Sequence, residues 1–278
     1  RKSLSYYDQA NQLHEFKNAF PEFKFVDAQC LRDSLIRLDK AYQAFFRRAK
    51  NKEKAGFPRF KGKNRYSSFT LYQNSWKLEG KYLTIRNVGR FKLYFDRSIN
   101  GTIKTITIKK TSTNQWFVSF SCDNVPSRNF PETNKEIGID VGIKSFCVDS
   151  DGKTIENPKY FEKSIDILRK RQRSLSRKKK GSQNRNGARL SVAKTHEKIA
   201  NQRKDFLHKT SNYYVGNYQK IYVEDLNIKN MIKNKYLSKS ISDSSWGMFS
   251  NFLSYKAEEA GRQVIKVPSR NTSQICSG

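Results

Sequence analysis

Hydrophobic residues near the start of the chain recur with the period of an α-helix. Leu31, Leu35 and Leu38 lie four and three positions apart, which places them on one helical face. Pro21 ends an earlier helical stretch, because proline cannot continue the hydrogen-bond ladder of a helix. The pattern predicts a helical unit over residues 1–55, with the apolar stripe forming its core.

The hydrophobic period changes from helical to alternating between residues 67 and 125. β-branched and polar residues alternate at residues 103–109, which is typical of a strand with one buried face. Residues 112–114 supply the polar turn of a hairpin that leads to Trp116. Several short strands separated by turns predict an antiparallel sheet or a small barrel, and we expect an antiparallel β-barrel over residues 56–125.

The second half of the chain alternates strands with helices. A polar, proline-containing segment at residues 126–134 is predicted to be a linker. The predicted elements are strands at residues 136–141, 144–148, 220–224 and 264–267, a helix at residues 245–260, and two long helices at about residues 160–215 joined by a loop at residues 181–187. This order predicts an α/β domain over residues 135–278, and a multidomain α+β protein as a whole.

The charge of the chain narrows the class of partner. Lysine and arginine number 55 and aspartate and glutamate 25, which gives a formal net charge of +30. A body this positive repels itself unless it works beside a polyanion, so nucleic acid is the expected partner and a small-molecule substrate is not. No apolar run approaches the roughly 20 residues of a membrane helix, which excludes a membrane-spanning protein. The scattered cysteines predict reduced thiols and a cytoplasmic location.

The excess of positive charge is concentrated in the two long helices. Cations far outnumber acids between residues 159 and 209, whereas a face that needs only solvation usually carries both signs. Contact with nucleic-acid phosphates is therefore predicted, with a solvated face as the alternative. The predicted contact residues are Arg171, Arg173, Arg177, Lys178, Lys179, Lys180, Arg203 and Lys204.

A segment after the first helical unit mixes aromatic and basic residues. Phe57, Arg59 and Lys61 lie among glycine and proline at residues 56–63. Phenylalanine rings stack on bases while cations bind phosphates, so these three residues are predicted to contact nucleic acid. A solvated turn with anchoring phenylalanines is an equal alternative.

Two predicted strands each carry one acidic residue among apolar ones. Asp140 lies on the face opposite Ile137 and Ile139, and Glu224 ends the strand at residues 220–224. A carboxylate at such a position is costly unless it is paired or binds a metal. Two of them on neighbouring strands predict a site for a divalent cation, because hard divalent cations prefer oxygen ligands. For either acid alone, a salt bridge is the alternative.

Asp243 and the three histidines are predicted to have structural and not catalytic roles. Asp243 is predicted to cap the helix that carries Trp246. His14, His196 and His208 lack the spacing of metal ligands. We expect them to make packing or polar contacts.

The order of these features is similar to the RNase H-like fold of RuvC-type nucleases. More specifically, several motifs resemble the TnpB (OrfB) family of bacterial insertion sequences and occur in the order expected of that family. They are Gly56-Phe57-Pro58-Arg59-Phe60, Gly138-Ile139-Asp140-Val141-Gly142-Ile143-Lys144, Asp205-Phe206-Leu207-His208-Lys209, Val223-Glu224-Asp225-Leu226, and Ser240-Ile241-Ser242-Asp243 followed by Trp246. The resemblance extends from about Tyr6 to Gly278.

The resemblance implies a transposon-encoded, RNA-guided DNA endonuclease whose partners are a guide RNA and a target DNA. In that family the N-terminal half binds the guide and reads a short flanking DNA motif, and a RuvC-like half cuts the DNA. By the resemblance, Asp140 and Glu224 are the first two of three acids that bind Mg²⁺ for phosphodiester hydrolysis. The protein is accordingly expected beside the nucleoid of a bacterium.

The resemblance also implies parts that this sequence lacks. The family's third acid follows a four-cysteine zinc ribbon, of which Cys276 is the one cysteine present, and the family's first strand is missing as well. We therefore expect a fragment that binds nucleic acid without appreciable cleavage, with Zn²⁺ and the third acid belonging to a full-length parent. A guide-bound protein that does not cut and a DNA strand transferase are the alternative functions.

Overall fold

The computed structural model of the chain describes residues 5–62, 65–126 and 130–268. Two compact units are present, residues 1–126 and residues 127–278. Within the described ranges, no helix combines the length and the apolar composition needed to cross a membrane. Helices and sheets occur together, so the mixed α and β class is confirmed, while the predicted domain limits stay a prediction.

Helices open the first unit, as the hydrophobic period predicted. They are α1 (Tyr6–Asn11), α2 (Leu13–Ala19), a 3₁₀ helix (Pro21–Phe25) and α3 (Ala28–Lys50). The Ser5 hydroxyl accepts a hydrogen bond from the Asp8 backbone N–H, and the Asp8 carboxylate accepts one from the Ser5 N–H. This reciprocal cap satisfies two backbone donors and fixes where α1 begins.

The strands of the first unit form two open sheets. They are β1 (Ser68–Tyr72), β2 (Trp76–Glu79), β3 (Tyr82–Ile85), β4 (Gly89–Lys92), β5 (Thr102–Lys110) and β6 (Trp116–Asp123). All neighbours are antiparallel, in the orders β1-β5-β6 and β2-β3-β4. The predicted closed barrel is therefore wrong. Closure requires outer strands to pair with a matching stagger, and the alternation that predicts strands does not determine which edges pair.

A buried apolar cluster lies between the strands of the first unit. Leu71 of β1, Leu83 and Ile85 of β3, and Ile106 and Ile108 of β5 form this cluster. Burying each such side chain contributes roughly 1.5 to 3 kcal/mol relative to leaving it in water. The inward-facing apolar residues of both sheets thus form one shared core.

The second unit is built around a mixed five-stranded sheet. Its strands are β7 (Glu136–Val141), β8 (Ser145–Asp149), β9 (Thr154–Glu156), β10 (Lys220–Glu224) and β11 (Gln263–Val267). The order across the sheet is β11-β10-β7-β8-β9. Strands β7, β10 and β11 run parallel, whereas β8 is antiparallel to both β7 and β9. The central strand β7 therefore has a parallel neighbour on one side and an antiparallel neighbour on the other.

Helices connect the strands of the second unit and pack on its sheet. They are α4 (Tyr160–Ser176), α5 (Gln183–Asn217), α6 (Ile228–Met231), α7 (Ser238–Ser244) and α8 (Trp246–Glu259). Ile137 and Ile139 of β7 belong to one core with Leu207 of α5 and Phe249 of α8. The helix predicted at residues 245–260 is confirmed as α8.

The connection between the two basic helices is shorter than predicted. Helix α5 begins at Gln183, so Gly187 lies inside the helix and not in a loop. The Ser182 hydroxyl accepts a hydrogen bond from the Arg185 backbone N–H at 3.2 Å and caps the helix. A glycine in a helix interior costs about 1 kcal/mol relative to alanine. The Ser182 cap and the other residues of this long helix offset the cost of placing Gly187 inside it.

Candidate active site and nucleic-acid surface

The two predicted metal ligands lie at the carboxyl ends of adjacent strands. In the parallel pairing of β7 and β10, Val223 is opposite Ile139. Asp140 and Glu224 are the next residues of those strands, so the register places their backbones side by side, at the strand spacing of about 4.8 Å. Ile139 and Val223 are buried and Asp140 is exposed, as the alternation predicted. The structure thus brings together the two acids that the sequence singled out.

Asp140 lies just before a close turn from β7 to β8. The Gly142 N–H donates to the Phe146 carbonyl oxygen at 3.1 Å in the turn from β7 to β8. A Cβ atom at residue 142 would lie 3.1 Å from the Ser145 carbonyl oxygen, which a close turn does not tolerate without a shift. None of the salt bridges between described residues involves Asp140, so the salt-bridge alternative is not supported there for this acid.

Asp225, the residue after Glu224, has a different environment. Its carboxylate pairs with the Lys266 ammonium of β11, with Oδ1 and Nζ 3.1 Å apart. Its backbone N–H donates to the Val267 carbonyl oxygen at 2.8 Å. Asp225 is therefore occupied by contacts with β11, although it is adjacent to a predicted ligand.

The donor chemistry of Asp140 and Glu224 suits a hard divalent cation. Carboxylate oxygens are the ligands that Mg²⁺ prefers, and neighbouring carboxylates repel each other unless a cation compensates them. Within residues 5–62, 65–126 and 130–268, no group of three or more His, Cys, Asp or Glu side chains is placed to hold a metal. The pair therefore fits Mg²⁺ as two carboxylate ligands, and its metal-binding role stays a prediction.

A buried polar network beside the sheet was missed by the sequence analysis. Asp149, at the end of β8, is buried, and its carboxylate accepts hydrogen bonds from the Tyr214 hydroxyl at 3.1 Å and the Lys153 N–H at 2.9 Å. Burial raises the pKa of Tyr214, and it raises the pKa of the neighbouring Cys147 thiol to about 11. Both the Tyr214 hydroxyl and the Cys147 thiol therefore stay protonated near neutral pH. The protonated Tyr214 hydroxyl of α5 donates to Asp149 of β8 and so links the two elements. In the sequence, Asp149 looks like part of a polar turn.

The basic residues around the connection between α4 and α5 are exposed. The five residues Arg173, Arg177, Lys178, Lys179 and Lys180 are named the basic ridge, and all are exposed, as is Lys204. Arg185 holds the connection in shape by donating to the carbonyl oxygens of Leu175 at 3.0 Å and Lys178 at 2.9 Å. The ridge is open to solvent and to phosphate groups, and its contact with nucleic acid stays a prediction.

Two other predicted contact residues bind inside the second unit. The Arg171 guanidinium donates to the Thr195 hydroxyl at 2.6 Å and to the Ser191 carbonyl oxygen at 3.1 Å, which joins α4 to α5. Arg203 pairs with Asp243, with Nη2 and Oδ1 2.7 Å apart. Both arginines are half-buried. The number of charges along the sequence does not distinguish these two half-buried arginines from the exposed residues of the basic ridge.

Asp243 does not cap the helix predicted for it. It lies within α7, and its carboxylate accepts hydrogen bonds from the backbone N–H groups of Phe161 at 3.1 Å and Glu162 at 3.3 Å, in the first turn of α4. The Arg203 guanidinium completes this arrangement, named here the α4 clasp. The capping prediction is wrong because the capped helix lies 82 residues away along the chain, beyond the reach of a local motif.

A single asparagine connects the α4 clasp with the strand that carries Asp140. The Asn157 side-chain amide donates to the Ile143 carbonyl oxygen and to the Ser244 hydroxyl, both at 3.0 Å. Ile143 follows β7, and Ser244 follows Asp243 in α7. The end of β7 and the clasp are thus held in one hydrogen-bonded arrangement.

The aromatic and basic segment of the first unit combines both of its predicted characters. The Phe57 ring contacts Tyr42 and Phe45 of α3, with centroids 5.7 Å and 5.4 Å apart, although it stays 64% exposed. Arg59 and Lys61 are exposed. Phe57 is therefore an anchor on α3, and nucleic-acid contact by all three residues stays a prediction.

The remaining sequence-predicted residues fall on packing contacts or outside the described chain. His208 stacks on Phe252 with ring centroids 4.1 Å apart, which confirms packing for this histidine. The His14 Nδ1 atom lies 3.5 Å from the Asn18 amide nitrogen. Cys276 lies outside the described residues.

Family models match two parts of the chain. Residues 119–235 match OrfB_IS605, described as "Probable transposase". Residues 246–278 match the Cas12f1-like TNB domain. These matches define a class of proteins encoded by insertion sequences and related to Cas12f1.

Curated relatives extend over nearly the whole chain. InsQ of Escherichia coli K12, a candidate RNA-guided DNA endonuclease, is 31% identical over 295 residues, which cover 99% of this chain and 72% of InsQ. A candidate RNA-guided DNA endonuclease of Streptomyces pristinaespiralis is 31% identical over 275 residues, 96% of this chain and 66% of that protein. The chain belongs to the TnpB (OrfB) family, as its motifs indicated, and it spans part of the length of both relatives.

A solved Cas12f1 structure has a similar fold. That structure was determined by cryo-electron microscopy and shows Cas12f1 in a complex with an sgRNA and target DNA. It matches with a TM-score of 0.51 over 98% of this chain and 72% of that chain, at 14% sequence identity. At this identity the likeness establishes the fold alone.

Proposed function

We propose that the full-length parent of this chain is an RNA-guided DNA endonuclease that hydrolyses phosphodiester bonds of a target DNA with Mg²⁺, and that the 278-residue chain binds nucleic acid without appreciable cleavage. The observation that carries the proposal is the side-by-side placement of Asp140 and Glu224 in a member of the TnpB family. The relatives from Escherichia coli and Streptomyces pristinaespiralis bear the name of that activity.

In this proposal the second unit is a RuvC-like nuclease domain. Its three antiparallel strands continue through β7 into two parallel strands, and the two acids lie at the carboxyl ends of β7 and β10. Ligands of open α/β sheets bind at the carboxyl ends of strands, where the direction of strand order changes. Strand β7 lies at that position, because β8 and β10 flank it on opposite sides.

Asp140 and Glu224 would hold the metal, and the rest of the unit holds these two residues. Held there, Mg²⁺ would supply activation of the attacking water and stabilisation of the leaving oxygen of a phosphodiester. The chain supplies rigidity, since both acids lie on strands and Asn157 fixes the segment that follows β7. A misplacement of ~1 Å can cost about a hundredfold in rate, which favours strands over loops as supports.

Guide RNA and target DNA are the partners in this proposal. The net charge of +30 and the exposed basic ridge supply the electrostatic term of nucleic-acid binding. The ridge lies on the same helical pair that the α4 clasp anchors, so bound phosphates would be held at a fixed place in the second unit. The Cas12f1 of similar fold was observed with an sgRNA and target DNA.

The test begins with sequencing of the RNA that copurifies with the protein expressed from its own locus. A target duplex matched to that RNA is then incubated with the protein and Mg²⁺. In the full-length protein we expect guided, site-specific cutting that Asp140→Asn abolishes and Asp225→Asn retains. Retained RNA without cutting would support the cleavage-deficient alternative, and joining of DNA strands would support the transferase. Recovery of no specific RNA would contradict the proposal.

A further inference from the structure

A groove in the first unit has no part in the proposed catalytic site. It has a volume of about 400 Å³ and lies between α3 and the segment that includes Tyr66 and the start of β1, with the adjoining ends of β5 and β6. Small-molecule sites have volumes of roughly 300 to 1,000 Å³. The groove is therefore large enough for a single nucleotide and too small for a base-paired helix.

Two exposed aromatic rings line this groove, and each has a cation beside it. Trp116 is 62% exposed and Tyr66 is 56% exposed. The Lys110 ammonium lies 5.5 Å from the Trp116 ring centroid, and the Lys61 ammonium lies 4.8 Å from that of Tyr66. Each ammonium lies over its ring, and the part of the ring that it leaves exposed offers stacking to a base, while the ammonium offers a counter-charge to the phosphate.

The acid in the groove is already neutralised within the first unit. Asp33 is buried, and its carboxylate accepts a hydrogen bond from the Thr70 N–H at 2.9 Å and pairs with Arg37 at 2.8 Å. Arg37 also donates to the Ser68 carbonyl oxygen at 2.9 Å. Lys110 lines the groove and Lys61 lies beside it at Tyr66, and Asp33 offsets neither charge, so the groove is complementary to an anion.

The groove offers no activated nucleophile. Cys30 lines it, but burial, reinforced by Asp27 and Asp33, raises the pKa of its thiol to about 11. The thiol is protonated at neutral pH and is a weak nucleophile. The chemistry of the groove is thus that of a binding site.

We propose that this groove binds one unpaired nucleotide, with its base stacked on Trp116 and Tyr66 and its phosphate beside Lys110 and Lys61. The inference rests on the proposed function, because guided pairing leaves unpaired nucleotides both in the guide RNA and in the displaced DNA strand. The shared ligand chemistry is a base with a free face and a phosphate.

Tryptophan fluorescence of the 278-residue chain tests this site. Trp246 is buried and the Trp76 indole nitrogen is buried, so quenching by a stacked base reports mainly on Trp116. The probes are an oligouridylate, an oligodeoxythymidylate and a fully paired DNA hairpin. We expect both single strands to quench the emission more than the hairpin does, and the tighter of the two identifies RNA or DNA as the source.

Variants on one strand provide matched controls. Trp116→Ala should weaken single-strand binding about tenfold, because stacking of each base on an aromatic ring contributes strongly to affinity. Trp116→Phe should keep most of the affinity. Phe117, the next residue of β6, is also exposed but lies outside the groove, so Phe117→Ala should bind like the wild type.

Absence of quenching in the wild type, or equal losses in Trp116→Ala and Phe117→Ala, would overturn the proposal. Quenching needs no variant, so a misfolded Trp116→Ala protein leaves the test intact. A protein that retains its RNA but shows no role for Trp116 refutes the groove alone. A protein that retains no RNA refutes the proposed function itself.

Discussion

Acidic side chains of the second unit lie in two regions that use them differently. At the edge of the sheet, Asp140 is exposed, with Glu224 as its neighbour on β10. At the α4 clasp, the Asp243 side chain is 8% exposed and accepts hydrogen bonds from Arg203 and from the first turn of α4. The same chemical group is directed outward in one region and fully engaged in the other.

The difference shows how a strongly basic chain separates structural from functional charge. A buried acid needs partners, because an unpaired buried charge is costly, and Asp243 obtains them from α4 and α5. The arginines divide in the same way, since Arg171 and Arg203 bind inside the unit while the basic ridge is exposed. Burial and partners, more than residue type, therefore indicate which charges are available for a ligand.

Removing the charge of Asp140 should have the largest effect on activity and almost none on stability. In the full-length protein we expect Asp140→Asn to lower guided DNA cleavage at least about a hundredfold, since losing even an indirect support of a metal ligand costs roughly 10- to 100-fold. The melting temperature should not change, because the side chain is exposed. Cleavage rates and circular dichroism melts measure both, with Asp225→Asn as the control. Cleavage by Asp140→Asn near the wild-type rate would contradict the assignment.

Asp243→Ala should show the reverse pattern, with a large loss of stability. The change leaves Arg203 and two backbone N–H groups without their carboxylate, and breaking a buried ion pair costs roughly 3 to 5 kcal/mol. Because the Arg203 side chain is 23% exposed, we expect about 2 to 4 kcal/mol, or a fall of roughly 5 to 10 °C in Tm. Asp243→Asn keeps one acceptor oxygen and should lose less stability. An unchanged Tm in Asp243→Ala would show that the clasp does not stabilise the fold.

Neutralising the basic ridge should change binding and leave the fold intact. We expect Arg177, Lys178, Lys179 and Lys180, all changed to glutamine, to flatten the log-log salt dependence of nucleic-acid affinity by up to about four, or about one for each phosphate that is no longer neutralised. Arg171→Gln, which removes an internal arginine, should leave the slope unchanged. Filter binding at several salt concentrations measures the slope. Equal slopes for the ridge variant and the wild type would identify the ridge as a solvated face.

The smallest effect is expected at an exposed ion pair. Asp205 pairs with Lys209 on the surface of α5, with Oδ2 and Nζ 2.8 Å apart. Exposed pairs contribute little because water and salt screen them, so Asp205→Asn should not shift Tm measurably. A loss comparable to that of Asp243→Ala would show that burial does not distinguish these acids.

Local patterns in the sequence predict the strands and the outward face of Asp140. The alternation in β7 and in β10 is enough for that, because a strand with one buried face repeats every two residues. The side-by-side placement of Asp140 and Glu224 needs the parallel register, which the motif order suggested through the family resemblance. Recognition of the family was confirmed by the matched relatives.

Long-range pairings could not be read from local patterns. The open sheets of the first unit depend on which strand edges meet, and alternation is silent on that point. The roles of Asp243 and Asp149 depend on partners in distant segments, Phe161 and Tyr214 respectively. In the sequence both acids resemble ordinary cap or turn residues.

A measurement of divalent-metal binding tests most directly whether Asp140, at the edge of the sheet, is a metal ligand, unlike Asp243 in the α4 clasp. Calorimetric titration of Mn²⁺, as a probe for Mg²⁺, into the 278-residue chain requires neither guide nor target. We predict binding by the wild type and by Asp225→Asn, and loss of binding in Asp140→Asn at an unchanged Tm. Equal Mn²⁺ affinity in Asp140→Asn and the wild type would contradict a metal site at the carboxyl ends of β7 and β10.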